Sequence, residues 1–156
     1  MKPIVNKKAS YNFHIFEKFE AGVVLSGNEI KSVRAGKVAL DDSYVLIHDR
    51  EAVLINAHIA HYEKGVASPD DLKKDRKILL HKKEIDYLVG KLTGTNLVLI
   101  PVRLYFKRNY AKIELALAAG KKKYDKRETI KRREAEREAE KLLRSEKLKA
   151  QKQSRT

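Results

Sequence analysis

The sequence predicts a mainly β fold with a basic appendage, and three observations carry that prediction. Apolar and polar residues alternate with period two between residues 10 and 120, helical spacing is confined there to two short stretches, and charge is concentrated beyond residue 120. Strands are expected at Tyr11 to Glu17, Ala21 to Leu25, Tyr44 to His48, Ala52 to Ala57, Arg76 to Leu80, Leu97 to Tyr105 and Ala111 to Ala118. In the last, Ile113, Leu115 and Leu117 alternate with Lys112, Glu114 and Ala116, so one face is apolar and the other partly wetted. The last two strands are separated by Lys107 to Tyr110, which predicts a hairpin. Pro101 lacks an N–H for the ladder, so its strand needs a bulge or an edge position there.

The first helix is expected from about Asn28 to Ala35, with Ser26 as a possible cap, Ile30, Val33 and Arg34 at helical spacing, and Gly36 as the stop. The second starts near His81, where Ile85, Leu88 and Val89 fall at i, i+3 and i+4, and Gly90 weakens its end. Gly65 to Asp75 reads as a polar loop. Many strands and two short α-helices in about 110 residues point to a small closed barrel, for which the oligonucleotide-binding (OB) type is a natural candidate and a sandwich the alternative.

The remainder differs in kind. Residues 1–120 carry 20 basic and 14 acidic side chains, whereas residues 121–156 carry 15 and 7, so more than half of the net charge of +14 sits in less than a third of the length. The division expected is therefore a domain over 1–120 and a basic C-terminal tail over 121–156. From Tyr124 onward there is neither Gly nor Pro, and Glu128 with Arg132 and Glu140 with Arg144 stand at favourable i, i+4 spacing. Ile130, Ala135, Ala139, Leu142, Leu143 and Leu148 give only a narrow apolar stripe. Two readings of this tail stay open: a solvated, partly disordered segment, or one that becomes helical when bound to RNA.

Charge and composition exclude much. With no Cys there is no disulfide framework, thiolate metal site or cysteine nucleophile, which fits a reducing compartment. The longest apolar run, Leu97 to Val102, is far short of the roughly 20 residues of a membrane helix. His14, Glu17, Lys18 and Glu20 interrupt any signal-like run behind the N-terminal lysines, so a soluble cytoplasmic protein is expected. His58 and His61 are the only histidines close in sequence, and Asp41 with Asp42 and Asp70 with Asp71 read as caps or turns. No nucleophile elbow, phosphate loop or dinucleotide fingerprint is present. The expectation is a protein that is not an enzyme, with no cofactor and no metal, and whose partner is a polyanion. Aromatic residues beside basic ones, at Tyr62, Tyr105, Phe106, Tyr110 and Tyr124, suit base stacking with phosphate neutralisation, and the Lys121 to Lys123 run before Tyr124 strengthens the case for nucleic acid.

Six motifs in order then bear on family: Asn6-Lys7-Lys8-Ala9; Phe19-Glu20-Ala21-Gly22; Gly27-Asn28-Glu29-Ile30-Lys31-Ser32-Val33-Arg34-Ala35-Gly36-Lys37; Asp42-Ser43-Tyr44; Arg76-Lys77-Ile78-Leu79-Leu80-His81; and Gly120-Lys121-Lys122-Lys123-Tyr124-Asp125-Lys126-Arg127. From Asn6 to about Arg133 the chain resembles the small protein B (SmpB) family, the SsrA-binding proteins of bacterial trans-translation. The resemblance implies an OB-type barrel that grips the tRNA-like domain of transfer-messenger RNA (tmRNA). It further implies an adaptor that completes a tRNA mimic, delivers alanyl-tmRNA to stalled 70S ribosomes with elongation factor Tu, and uses its tail to sense the empty decoding region and messenger channel on small-subunit RNA. A monomer is expected.

By the same resemblance, Asn6, Lys7, Glu20 and Leu79 match positions linked to RNA binding, with Lys77 beside them and Lys121 and Lys122 at the start of the tail. Asn6 would pair with base or sugar edges, Lys7 and Lys77 would neutralise phosphate, and Leu79 would pack on an unstacked base. Glu20 would accept from base amino groups or orient a basic neighbour. Tyr124, Asp125, Lys126, Arg127 and Ile130 match the tail motif, with Tyr124 expected to stack, Lys126 and Arg127 to meet ribosomal phosphate, and Ile130 to seat a bound helix. A general OB-fold RNA-binding protein or RNA chaperone is the alternative reading; it would need neither the Asp125-Lys126-Arg127 boundary nor a separable tail activity.

Overall fold

A computed structural model describes residues 1–64 and 72–154, so most of the loop expected at Gly65 to Asp75 lies outside the described residues. The elements in order are β1 (Ile4–Val5), α1 (Lys7–Asn12), β2 (Phe13–Val23), α2 (Gly27–Arg34), β3 (Val38–Ala39), β4 (Tyr44–His48), β5 (Glu51–Ile55), β6 (His58–Ile59), β7 (Arg76–Leu79), α3 (Lys82–Leu92), β8 (Leu97–Lys107), β9 (Tyr110–Gly120) and α4 (Lys123–Gln153). The architecture is mainly β, as expected. The chain divides into two compact units, Met1–Gly120 and Lys121–Thr156. Among the described residues no helix is long and apolar enough to cross a membrane.

In the first unit β8 pairs with β1, β4 and β9, and the pairings run from β8 through β4, β5, β7, β2 and β9 back to β8. All of these pairs are antiparallel. A separate two-stranded sheet joins β3 to β6. The main core is built from inward residues of the large sheet, including Ala21, Val45, Leu54, Ile78, Leu99, Ile113, Leu115 and Leu117, with Val33 of α2 and Leu88 of α3 packed into it.

Strand β9 serves two cores by alternation, and β2 and β8 do so through bulges. Strict alternation would keep Phe13, Ile15, Phe19 and Ala21 on one face of β2. The register shifts between Ile15 and Glu17, so Phe13 and Ile15 pack with Ala9 of α1, Ile100, Ala116 and Ala118 in a smaller cluster, while Phe19 and Ala21 join the main core. The shift between Pro101 and Arg103 does the same for β8, sending Ile100 and Val102 to the small cluster and Leu99 and Leu104 to the main core. Of the two arrangements open to Pro101, a bulge or an edge position, the strand has the bulge.

Helices α2 and α3 sit where their caps predict. Ser26 Oγ accepts from the Glu29 N–H at 3.3 Å while the Ser26 N–H donates to Glu29 Oε2 at 2.8 Å, and Gly36 follows α2 at φ +74°. The N–H of His81 donates to Glu84 Oε2 at 3.1 Å at the start of α3.

Three expectations need correction. The strands expected at Tyr11 to Glu17 and Ala21 to Leu25 are one bulged strand, β2. Tyr11 and Asn12 belong instead to α1, a helix the sequence reading lacks. The cause is Asn6, whose Oδ1 accepts from the Ala9 N–H at 3.2 Å and starts a turn that hydrophobic spacing alone does not announce. The helix count is accordingly four among the described residues, because α4 runs helical for 31 residues, roughly 46 Å, in the tail.

Candidate nucleic-acid interface

The antiparallel registers decide which side chains share the outer face of the large sheet. On β2 the outward positions after the bulge include Lys18, Glu20 and Gly22. Gly22 faces Leu79 of β7 on one side and Lys112 of β9 on the other. Glu20 faces Glu114 of β9, which in turn faces Arg103 of β8, and Lys112 faces Tyr105. Lys77 stands one outward position before Leu79 on β7. Thus Glu20, Lys77 and Leu79, expected from the sequence as RNA-binding residues, come together on one face although they derive from separate strands. All three are exposed.

Gly22 lies on this face in a depression of about 450 Å³ bordered by Glu20, Leu79, His81, Tyr110 and Lys112. Leu79 leans over the glycine: a Cβ added at Gly22 would stand 3.3 Å from Leu79 Cβ. Leu79 remains half exposed and Tyr110, at the hairpin tip, is 71% exposed, so an apolar wall and an aromatic face are available to a ligand.

Glu20 is held in place by β8. One carboxylate oxygen accepts from the Tyr105 hydroxyl and the other faces Lys107 Nζ at 3.3 Å. The Tyr105 hydroxyl and Lys107 hold the Glu20 carboxyl below its ordinary range, against a smaller opposing effect of burial. Burial and the bond to Glu20 push the Tyr105 phenol up to about 12. Arg103 stacks over the Tyr105 ring at 5.3 Å and pairs with Glu114 at 3.1 Å, so the like charges of Glu20 and Glu114 stand among cations. Lys77 Nζ meets Glu51 at 3.0 Å across the exposed surface.

Asn6, expected to pair with base or sugar edges, is turned into the protein. Its side chain is buried; Nδ2 donates to the Leu40 carbonyl at 3.2 Å and to the Pro101 carbonyl at 2.9 Å, which engages both amide hydrogens. The Asn6 N–H donates to the Val102 carbonyl at 2.8 Å. Asn6 therefore satisfies carbonyls at the β8 bulge, caps α1 and fixes where Lys7 emerges. Lys7 is exposed, and Lys8 reaches Asp42 at 3.5 Å.

In the second unit, the Lys122 N–H donates to Asp125 Oδ2 at 3.3 Å and the Lys126 N–H to the Lys122 carbonyl at 3.1 Å, so Asp125 closes the first turn of α4. Lys121 Nζ donates to Thr129 Oγ1 at 2.9 Å; burial first, then Arg132 and Arg133, lower its pKa. Tyr124 is 70% exposed, and a hydrogen bond to Glu128 raises its phenol pKa. Lys122, Arg127 and Ile130 are exposed and Lys126 is half-buried.

Lys107 and Lys112 stand on the same face without having been among the expected binding residues, beside Tyr105, which was expected as a stacking aromatic and instead bonds to Glu20. Alternation along β8 and β9 marks them as outward, but their approach to Glu20 depends on strand order.

The model of the SmpB protein family matches residues 3–145. An SsrA-binding protein of Carboxydothermus hydrogenoformans is 52% identical over 140 residues, covering 90% of this chain and 94% of the relative. One of Trichodesmium erythraeum is 50% identical over 139 residues, covering 88% and 89%. Among solved structures, a chain of the one described as "tmRNA-SmpB: a journey to the center of the bacterial ribosome" matches with TM-score 0.65 and 44% identity, covering 78% of this chain and 85% of that chain. A family match across most of the chain, joined by relatives at about half identity, shows that this protein belongs to the SmpB family of SsrA-binding proteins.

Proposed function

We propose that this protein is a tmRNA-binding adaptor of trans-translation, carrying tmRNA to stalled ribosomes. The observation that carries the reading is the convergence of Glu20, Lys77 and Leu79 on one outward face, beside a depression bordered by Glu20 and Lys112, in a chain whose relatives are named for binding SsrA RNA. Such a face combines phosphate neutralisation by Lys77, Lys107 and Lys112 with an apolar wall and a fixed acceptor, which suits the splayed bases of a folded RNA better than a duplex groove. Within this reading the ring of strand pairings is a closed OB-type barrel, Asn6 acts by positioning Lys7, and the protein works as a cytoplasmic monomer. It makes and breaks no bond itself.

The tail supplies the second half of the adaptor. Tyr124 offers an exposed ring for stacking, Lys126 and Arg127 offer charge for ribosomal phosphate, and Ile130 an apolar contact at the start of a long basic helix. Lys121 and Lys122 lead the chain from one RNA to the other. Elongation factor Tu accompanies the complex to the ribosome, where the tail reads the empty decoding centre and messenger channel.

Binding to tmRNA and to an elongator tRNA, measured across a salt series, tests the proposal. Preference for tmRNA, lost in Glu20→Ala while the salt slope is kept, is the expected result. A chain ending at Gly120 should still bind tmRNA but support no peptide tagging on stalled ribosomes. Equal affinity for the two RNAs would instead favour a general RNA-binding protein, and equal loss of both activities on truncation would overturn the division of labour.

A further inference from the structure

Helix α4 begins where its local sequence gives little reason for a helix to begin. Its N-cap is Lys122, whose side chain makes no capping bond, and Lys121, Lys122 and Lys123 place three positive charges at the positive end of the helix dipole. We propose that Thr129 is a positioning residue of the tail, which together with Lys121 and Asp125 clamps the first two turns of α4. This rests on the reading of the tail as the ribosome-directed half of the adaptor and names what orders it.

The Thr129 hydroxyl joins both ends of the clamp. It accepts from Lys121 Nζ at 2.9 Å and donates to the Asp125 carbonyl at 2.9 Å, so one side chain ties a residue before the helix to its first and second turns. Asp125, the acidic residue of the first turn, accepts from the Lys122 N–H at 3.3 Å and attracts the Lys121 ammonium. Burial and the charges of Arg132 and Arg133 act against a cation at Lys121, so its place along the helix needs an acceptor, and the Thr129 hydroxyl supplies one.

Thr129 is 7% exposed, whereas Tyr124 and Ile130 on either side of it are open to solvent. A side chain so covered acts on its neighbours, and those neighbours are the residues that the tail offers to the ribosome. Tyr124, Lys126, Arg127 and Ile130 all lie within the first eight residues of α4, in or beside the turns that the clamp spans. A helix end frays because its first turn fixes several residues for few hydrogen bonds. Held helical beforehand, the four side chains share one geometry and lose less conformational entropy on engaging RNA. The clamp also accounts for Asp125, the one residue of the tail motif that phosphate would repel.

Full-length parent, Thr129→Val and Thr129→Ser should be compared in three measurements: binding of tmRNA at fixed salt, the rate of peptide tagging on stalled ribosomes, and amide hydrogen exchange from Lys126 to Ile130 in the free protein. Valine has the shape and nearly the helix propensity of threonine but lacks the hydroxyl, and serine restores it. Thr129→Val is expected to bind tmRNA as the parent does, to exchange those amides faster, and to tag about tenfold more slowly, the effect of losing a hydrogen bond to a charged group. Thr129→Ser should return both exchange and tagging toward the parent. Faster exchange with unchanged tagging takes the clamp out of the function, and slower tagging with unchanged exchange assigns Thr129 a direct contact. Either result overturns the proposal, as do no change in either, a loss of tmRNA binding in Thr129→Val, or a failure of serine to rescue. A parent chain that binds tmRNA but supports no tagging sinks the adaptor reading itself, which separates that failure from a failure of the clamp.

Discussion

Arg76 and Glu29, 47 residues apart in sequence, meet inside the protein, with Arg76 Nε donating to Glu29 Oε1 at 2.8 Å. The other guanidinium nitrogens donate to the carbonyls of Ala57 at 2.7 Å, Lys74 at 3.0 Å and Leu72 at 3.2 Å. The Arg76 side chain is 1% exposed and that of Glu29 11%. One buried cation thus ties the N-terminal turn of α2 to the start of β7, the strand that carries Lys77 and Leu79. Removing either partner costs the other its shortest ion pair in a buried setting. Arg76→Met and Glu29→Ala should each destabilise the first unit by about 3–5 kcal/mol, read from urea unfolding. Changes below 1 kcal/mol would show that the pair is dispensable.

The same pair gives stability a pH dependence. Burial raises the Glu29 pKa, but the Ser26 N–H, the Arg76 guanidinium and the Lys74 charge together outweigh it and leave the carboxyl below its ordinary value of 4.5. Unfolding raises the pKa, so the contribution is fully present above pH 4.5 and is lost as pH falls through the lower folded value. Unfolding midpoints measured from pH 6 downward should fall less steeply in Glu29→Gln than in the parent.

Asn6 predicts an effect on RNA binding that passes through structure. Asn6→Ala removes the cap of α1 and the amide bonds to the Pro101 carbonyl and to that of Leu40, which still accepts from Ser43, for a loss of about 1–3 kcal/mol. Asn6→Asp keeps the capping oxygen but cannot donate to Leu40 or Pro101, so it should be at least as destabilised. If Asn6→Ala unfolds like the parent yet binds RNA poorly, direct contact is restored as the explanation.

Tyr105→Phe isolates the support given to Glu20. The variant should fold normally and bind tmRNA more weakly than the parent but better than Glu20→Ala. Ultraviolet titration offers a second readout: the parent has a tyrosine ionising at about 12, and in Glu20→Gln that transition should move down, since the bond to Glu20 contributes to raising it. An unchanged titration would sever the two residues.

The turn between β4 and β5 carries strain that glycine would release. Asp49 and Arg50 both have positive φ, 49° and 60°, the requirement of a type I′ hairpin turn. Arg50→Gly should stabilise the protein by about 1 kcal/mol despite losing an exposed ion pair to Asp86, and a lower unfolding midpoint would contradict this.

The sequence by itself determined whatever depends on near neighbours. Helix α2 was legible from Ser26 and Glu29 three residues apart, α3 from the spacing of Ile85 and Leu88, the β8–β9 hairpin from alternation, and the bulge from the missing N–H of Pro101. Charge concentrated after Gly120 marked the tail, and six motifs marked the family. Alternation also showed that Lys112 and Glu114 face away from the core. What it could not give were the two-residue strands β1, β3 and β6, too short for a period, or α1, whose cap is one asparagine.

Only the tertiary structure decided the site. Glu20 and Tyr105 are 85 residues apart, and the strand order β7-β2-β9-β8 is what brings the hydroxyl to the carboxylate. The same order makes Gly22 the floor between Leu79 and Lys112 rather than one more glycine in a strand. Asn6 reads as a polar surface residue until its side chain is seen to meet Leu40 and Pro101, 34 and 95 positions away. Local sequence sets backbone periodicity and capping, whose energetics involve residues within about four positions, while a binding face is made by side chains from strands whose pairing partners are fixed only when the whole core closes.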